Sequence, residues 1–304
     1  MKIKCLFLLI ILLLTFSVQS DTTVYGKLFI TLESQEMITG TELNTKSNAS
    51  RLGIKGSIEL KKELEVIYQA EYEVDYVDGT AEESNRQTIK QRNTFVGIKG
   101  SLGTLFLGTH DTAFRKSQNT IDLFNDLASD IKNILEGENR LSELVGFTTP
   151  EFGKNFSATF NVIKEKDGLD DASSFSLKYK TTNIYAALAL DSKVEGYDSY
   201  RVSFQIPLNK AKLGLMFQTS KEVNTGDKEE GYVVSLSRKI TNKGTIKLQL
   251  AESDIKLVSG KQTSFGYDQE ISKRAKIFIF YTDLSSPKVG KERNITAVGF
   301  ELKF

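Results

Sequence analysis

The chain has 304 residues, with 40 Lys+Arg against 39 Asp+Glu, one His and one Cys. A formal net charge of +1 argues against a nucleic-acid binder. A lone Cys5 and a lone His110 leave nothing for a disulfide framework, a zinc site or a histidine-based triad, and no glycine-rich phosphate loop opens a helix, so neither an enzyme nor a cofactor is expected.

Residues 1–20 read as a secretory signal peptide. Lys2 and Lys4 give a positive start, Leu6 to Phe16 is apolar, and Val18-Gln19-Ser20 supplies modest residues at the expected cleavage point. Eleven apolar residues are too few for a spanning helix. Removing these twenty residues from 304 leaves a domain of 284, residues 21–304. It also takes away Cys5 and two lysines, so the formal charge falls from +1 to −1. No later apolar run reaches the length of a transmembrane helix.

From there the pattern has a period of two, which sorts side chains onto the two faces of a strand. Thr23 to Leu32 puts Val24, Leu28, Ile30 and Leu32 on one face and Tyr25, Lys27, Phe29 and Thr31 on the other. Arg51 to Leu60 sets Leu52, Ile54, Ile58 and Leu60 against Arg51, Lys55, Ser57 and Glu59. Leu64 to Val74 is the cleanest: Leu64, Val66, Tyr68, Ala70, Tyr72 and Val74 oppose Glu65, Gln69, Glu71 and Glu73, with Ile67 the exception. Eleven residues is the length a tilted strand needs to cross hydrocarbon. Further strands read near 92–99, 104–109, 140–148, 155–163, 173–180, 183–190, 199–206, 211–219, 231–239, 244–251, 263–270, 275–282 and 294–304. In the last of these Val298, Phe300, Leu302 and Phe304 share a face.

The connectors alternate in length. Short ones lie near 60–63, 100–103, 149–154, 181–182, 207–210, 240–243 and 271–274. Longer polar ones lie near 33–50, 76–91, 110–139, 164–172, 191–198, 220–230, 252–262 and 283–293. The fold class expected is all-β: a transmembrane up-and-down antiparallel β-barrel of about 16 strands, with oil-facing and water-facing residues alternating. The connector 110–139 carries Ile121-Asp122-Leu123-Phe124-Asn125-Asp126-Leu127-Ala128-Ser129-Asp130-Ile131. Such an apolar stretch is costly on the outside, so this third long loop is expected to fold into the lumen. A helical turn there would bring Asp122, Asp126 and Asp130 to one side. Tyr25, Tyr68, Tyr72, Phe204, Phe217, Tyr281 and Phe304 are candidates for interfacial girdles in a chain without tryptophan.

Several segments, in order, resemble the trimeric Gram-negative general porins. Val24-Tyr25-Gly26-Lys27-Leu28 resembles the first strand of that family and Ser50-Arg51-Leu52-Gly53-Ile54-Lys55-Gly56 the second. Phe95-Val96-Gly97-Ile98-Lys99-Gly100 through Leu107-Gly108 is similar to the fourth and fifth. Phe114-Arg115 with Ile121-Asp122-Leu123-Phe124 resembles the start of the inward loop, and Thr149-Pro150-Glu151-Phe152-Gly153 the turn after the sixth strand. The resemblance implies a homotrimer in the outer membrane, in contact with its lipid and lipopolysaccharide, with a water-filled pore for small hydrophilic solutes in each subunit. It also implies that the final strand, ending in Phe304, is read by barrel assembly machinery. By matching position, Lys27, Arg51 and Arg92 are the wall bases of a constriction, Arg140 is a fourth candidate, and Asp122, Asp126 and Asp130 are the candidate loop acids that face them. The Pro-Glu-Phe tip common in that loop is absent here.

Passive diffusion needs no catalyst, because sixteen strands enclose a lumen too wide for side chains to fill. Charges at the narrowest point then set selectivity. Neutralising Asp122, Asp126 and Asp130 together is expected to shift conductance toward anions. Two rival readings keep the barrel: a solute-specific channel, which needs a dedicated lumen site, and a structural or adhesive barrel, which needs long outer loops. The acidic run Glu63, Glu65, Glu71, Glu73 and Asp75 reads best as a lumen-facing strand balanced by nearby bases.

Overall fold

The computed structural model describes residues 20–37, 40–77, 88–164, 171–287, 290 and 292–304. The signal peptide expected at 1–20 lies outside them up to residue 19, and so do parts of the connectors expected at 76–91, 164–172 and 283–293. The wall comprises β1 (Ser20–Met37), β2 (Gly40–Ser47), β3 (Arg51–Lys61), β4 (Leu64–Val74), β5 (Ile89–Gly100), β6 (Gly103–Asp111), β7 (Arg140–Thr148), β8 (Phe156–Ile163) and β9 (Ala172–Lys180). It continues through β10 (Tyr185–Val194), β11 (Tyr197–Leu208), β12 (Ala211–Glu222), β13 (Lys228–Lys239), β14 (Gly244–Ser253), β15 (Gly260–Ser272), β16 (Ala275–Ser285) and β17 (Arg293–Lys303).

Strands adjacent in sequence pair antiparallel, save β2 and β3, and β1 pairs with β17 from Lys27↔Lys303 to Glu36↔Asn294, which closes the cylinder. The outer half of β1 pairs with β2 and the inner half with β3, so β2 and β3 are one stave interrupted at residues 48–50. The barrel therefore has sixteen staves. At the interruption Ala49 has φ 51°, and the Phe29 N–H donates to Ser50 Oγ at 2.9 Å. Alternation holds around the wall. Val298 and Phe300 stay 46% and 43% exposed toward the lipid side, while the preceding Ala297 and Ile295, of the opposite parity, are buried inside.

Several connectors are shorter than the sequence suggests, 33–50 and 191–198 most of all. The polar stretch 33–50 is mostly strand, because β1 runs on to Met37 and β2 returns from Gly40. Residues 191–198 form a tight hairpin in which Glu195 and Gly196, with φ 51° and 83°, turn the chain; two left-handed residues suit a two-residue hairpin. Tyr25 belongs to no girdle. It faces the lumen and donates to Glu71 Oε2 at 2.9 Å.

The loop 112–139 lies inside the barrel. Thr112 caps the short helix α1 (Ala113–Lys116) by accepting from the Arg115 N–H, and a 3-10 turn spans Ile131–Asn133. Residues 121–130 form turns and no helix. Ile121, Ile131, Ile134 and Leu135 pack on Met216, Val233 and Ala251 of the inner wall. Phe124 and Leu127 pack on Phe29, Phe278, Phe280 and Ile295. Five of these loop side chains, Ile121, Phe124, Ile131, Ile134 and Leu135, are wholly buried, a transfer gain of roughly 10 kcal/mol at about 1.5–3 kcal/mol each. Inward apolar residues on β12–β14, β16, β17 and β1 thus form the bed for the loop. A Cβ on Gly299 would lie 2.2 Å from the Phe278 ring and 2.8 Å from the Ile30 carbonyl. Gly299→Val is accordingly expected to push Phe278 into the Phe124–Leu127 bed and cost about 1–3 kcal/mol, read as a lower temperature for loss of the compact band on unheated gels.

Candidate functional site

Lys27 on β1 and Arg51 on β3 are cross-strand partners on the same inward face. Like charges placed so are destabilising on their own. Between them comes Asp126 from the inner loop: its Oδ2 accepts from Lys27 Nζ at 3.0 Å and from Arg51 Nη2 at 2.6 Å. Arg92 joins from β5, with Nη2 4.0 Å from Asp126 Oδ1. It donates through Nε to Glu71 Oε1 at 2.9 Å and through Nη1 to Glu73 Oε2 at 2.8 Å. Arg92 points inward because the β4–β5 register slips between Ala70 and Tyr72. A bulge of this kind re-aims a side chain.

Of the seven residues expected from the sequence, the structure brings Lys27, Arg51, Arg92 and Asp126 together. Arg140 lies beside them: Nη2 is 2.9 Å from Asp111 Oδ1, and Nε donates to Asn93 Oδ1 at 3.1 Å. Asp122 and Asp130 bind the loop's own backbone. Asp122 accepts from the Phe124 and Ile131 N–H groups and from Gln249 Nε2, and Asp130 accepts from those of Asp126 and Lys132. The helical turn that would align the three acids is replaced by tight turns, so Asp126 alone reaches the bases.

Electrostatics separate the acids further. Burial raises the Asp126 carboxyl, but Lys27, Arg51 and Arg92 overcome this and hold it well below the usual carboxylate range. Burial, reinforced by the charge of Asp130, pushes Asp122 the other way, well above its ordinary value. Burial likewise raises Glu138, which is clamped to Arg201 at 2.8 Å.

The site opens onto a cavity of about 860 Å3 lined by the loop and by residues of β1, β3–β7, β14, β16 and β17. Ten of its lining residues are Lys or Arg and five are Asp or Glu. Lys247 and Lys276, which share Asp268 at 2.9 Å each, are among the bases that the matched motifs did not pick out. Their inward parity on β14 and β16 was the available signal. Arg115, which meets Asp111 at 3.2 Å, lay in a quoted motif without an assigned part.

A family description, "Gram-negative porin", matches residues 11–287. No curated protein sequence gives a significant match. Among solved structures, an anion-selective porin from Comamonas acidovorans has a TM-score of 0.80 at 21% identity, covering 94% of this chain and 100% of its own. Salmonella typhi OmpF, in complex with daunomycin, has a TM-score of 0.77 at 14% identity, covering 93% and 97%. Vibrio cholerae OmpT in its trimer form has a TM-score of 0.67 at 12% identity, covering 94% and 99%. These identities bear on the fold; membership rests on the family match, which takes in nearly the whole wall, and on a closed cylinder with its third loop inside. The chain belongs to the Gram-negative porin family and is an outer-membrane porin channel.

Proposed function

We propose that this chain is a passive, water-filled pore that favours small anions, assembled as a homotrimer of mature residues 21–304 after removal of signal peptide 1–20. Lys27, Arg51, Arg92 and Arg140 act as constriction bases, with Asp126 as their opposing acid. The observation that carries the anion preference is the two-to-one excess of bases over acids around the central cavity. Asp122 spends its oxygens on the Phe124 and Ile131 N–H groups and on Gln249, away from the bases. A low-dielectric wall focuses such an excess onto the water path, where it attracts anions and repels cations. The Comamonas porin is anion-selective, which agrees in direction. No catalytic role is assigned to any residue.

The trimer is supported by the trimer form of OmpT and by an apolar groove on the outer wall, lined by Leu52, Ile54, Ala70, Tyr72, Val74 and Ile89. The final strand, with Phe304 beside Gly26 at the closing seam, is the segment we assign to the barrel assembly machinery. The lipid-facing wall is assigned to outer-membrane lipid and lipopolysaccharide.

Reversal potentials in a KCl gradient across a planar bilayer test the reading. A potential of chloride-preferring sign is expected; a cation-preferring one overturns the anion assignment. A second expectation concerns pH. The carboxyl of Asp126 is depressed, so its ion pairs persist above the ordinary carboxylate value and are lost only as pH falls through the lowered one. The difference in selectivity between wild type and Asp126→Asn should therefore survive from about pH 7 to about pH 5. Its disappearance in that window would contradict the clasp.

A further inference from the structure

Asp126 sits where a permeating anion would sit. Its carboxylate occupies the three-base cradle of Lys27, Arg51 and Arg92, and it does so imperfectly. The cradle's best carboxylate-binding edge is half used: Arg51 gives Asp126 a single bond from Nη2 at 2.6 Å, while Arg51 Nε is buried and donates to nothing among the described residues. Nε and Nη2 together make the fork that matches both oxygens of a carboxylate. Tethered to the loop, Asp126 brings one oxygen to Lys27 and Arg51 and leaves the other 4.0 Å from Arg92. A free carboxylate is not so restricted.

The loop is also built to let this side chain go without moving itself. Phe124 and Leu127, on either side, are fixed in the apolar bed, and the Asp126 N–H is held by Asp130 Oδ2 at 2.8 Å. Asp126 itself has φ 68°, a left-handed conformation that costs about 1–3 kcal/mol and clusters at ligand clamps. Swinging its carboxylate out of the cradle needs only side-chain rotation, which is fast on the scale of solute transit.

We propose that Asp126 is a resident stand-in for a solute carboxylate, and that small carboxylates exchange with it at Lys27, Arg51 and Arg92 as they pass. This rests on the channel reading above and adds a substrate class to it. A cradle occupied by its own acid for about nine-tenths of the time binds an outside competitor about tenfold more weakly than an empty one. The preference for carboxylates then follows from the Arg51 fork, and the clasp keeps their binding weak enough for release on the far side.

The test is saturable inhibition of chloride current by succinate in planar bilayers. The wild type is compared with Asp126→Asn and with Arg51→Lys, each inserted as heat-modifiable protein. Succinate should half-block Asp126→Asn at about one-tenth of the wild-type concentration. Arg51→Lys keeps the charge but loses the fork, so its half-block should need about tenfold more succinate than wild type. Equal half-block concentrations in wild type and Asp126→Asn overturn the proposal, and so does an Arg51→Lys channel inhibited as readily as wild type. Absence of block in all three overturns it too. Each of these results can occur in a channel with normal chloride preference, so the proposal can fail while the anion-pore reading stands; loss of chloride preference in the wild type would instead strike that reading.

Discussion

Arg201→Ala is expected to turn a quiet pore into a wider and noisier one. Arg201 is fully buried on β11 and holds both ends of the inner loop. It donates to Glu138 Oε1 at 2.8 Å and to the Glu136 carbonyl at 3.1 Å, and its guanidinium lies 4.3 Å from the Phe114 ring centre. Gln218 completes the clamp, accepting from Arg201 at 2.7 Å and donating to the Glu136 carbonyl at 2.9 Å. Removing the cation leaves Glu138 buried, with Gln118 at 2.8 Å and Arg115 at 3.7 Å. Breaking such a pair from one side costs about 3–5 kcal/mol. The apolar bed still holds the middle of the loop, so the variant should fold while the 134–139 segment loosens. Single-channel recording should then show higher mean conductance and excess open-channel noise, with Arg201→Lys intermediate because it restores charge without the fork. Traces indistinguishable from wild type would mean that Arg201 does not position the loop.

The second large effect belongs to the wall bases. Replacing Lys27, Arg51 and Arg92 together by glutamine should carry selectivity from anions toward cations. A unit charge at ~8 Å through water is worth ~0.5 kcal/mol, so three of them change the chloride barrier by ~1.5 kcal/mol, about tenfold. The cation barrier moves the opposite way. Glu71, Glu73 and Asp126 stay behind without their partners and add to the reversal. The readout is the ratio of chloride to potassium permeability; a ratio within about twofold of wild type would show that current bypasses this cluster. Asp126→Asn alone should move the ratio the other way. It is a cleaner variant than neutralising all three loop acids, because Asp122 and Asp130 hold the loop backbone.

The wall was largely legible because a barrel between oil and water imposes a period of two. Leu64 to Val74 shows it directly, with Tyr72 outward and Glu71 inward and bonded to Arg92. What escaped were the breaks in that period. No pattern in residues 89–100 announces the bulge that turns Arg92 inward, since the slip is defined against β4. Polar residues of 33–47 look like a loop because a strand rising beyond the hydrocarbon has no apolar face to show. The inner loop was recognised by its apolar residues, and its bed was in the sequence as well: Phe278, Phe280 and Ala297 are apolar on faces that should be wet. Spacing alone did not tell which loop acid meets the bases. Tight turns, and not a helix, decide that Asp122 and Asp130 close on backbone N–H groups while Asp126 turns out.

The central claim is that one set of alternating side chains lines water and the other faces lipid, with the inner loop inside the bore. Cys5 is the chain's one cysteine, so protein prepared without residues 1–20 gives a cysteine-free background for single-cysteine labelling. A charged, membrane-impermeant methanethiosulfonate reagent is added during single-channel recording. Asn125→Cys, at the cavity beside Asp126, should lower conductance in discrete steps, while Val298→Cys, on the lipid face, should be unaffected. Modification at Val298 with silence at Asn125 would contradict the account.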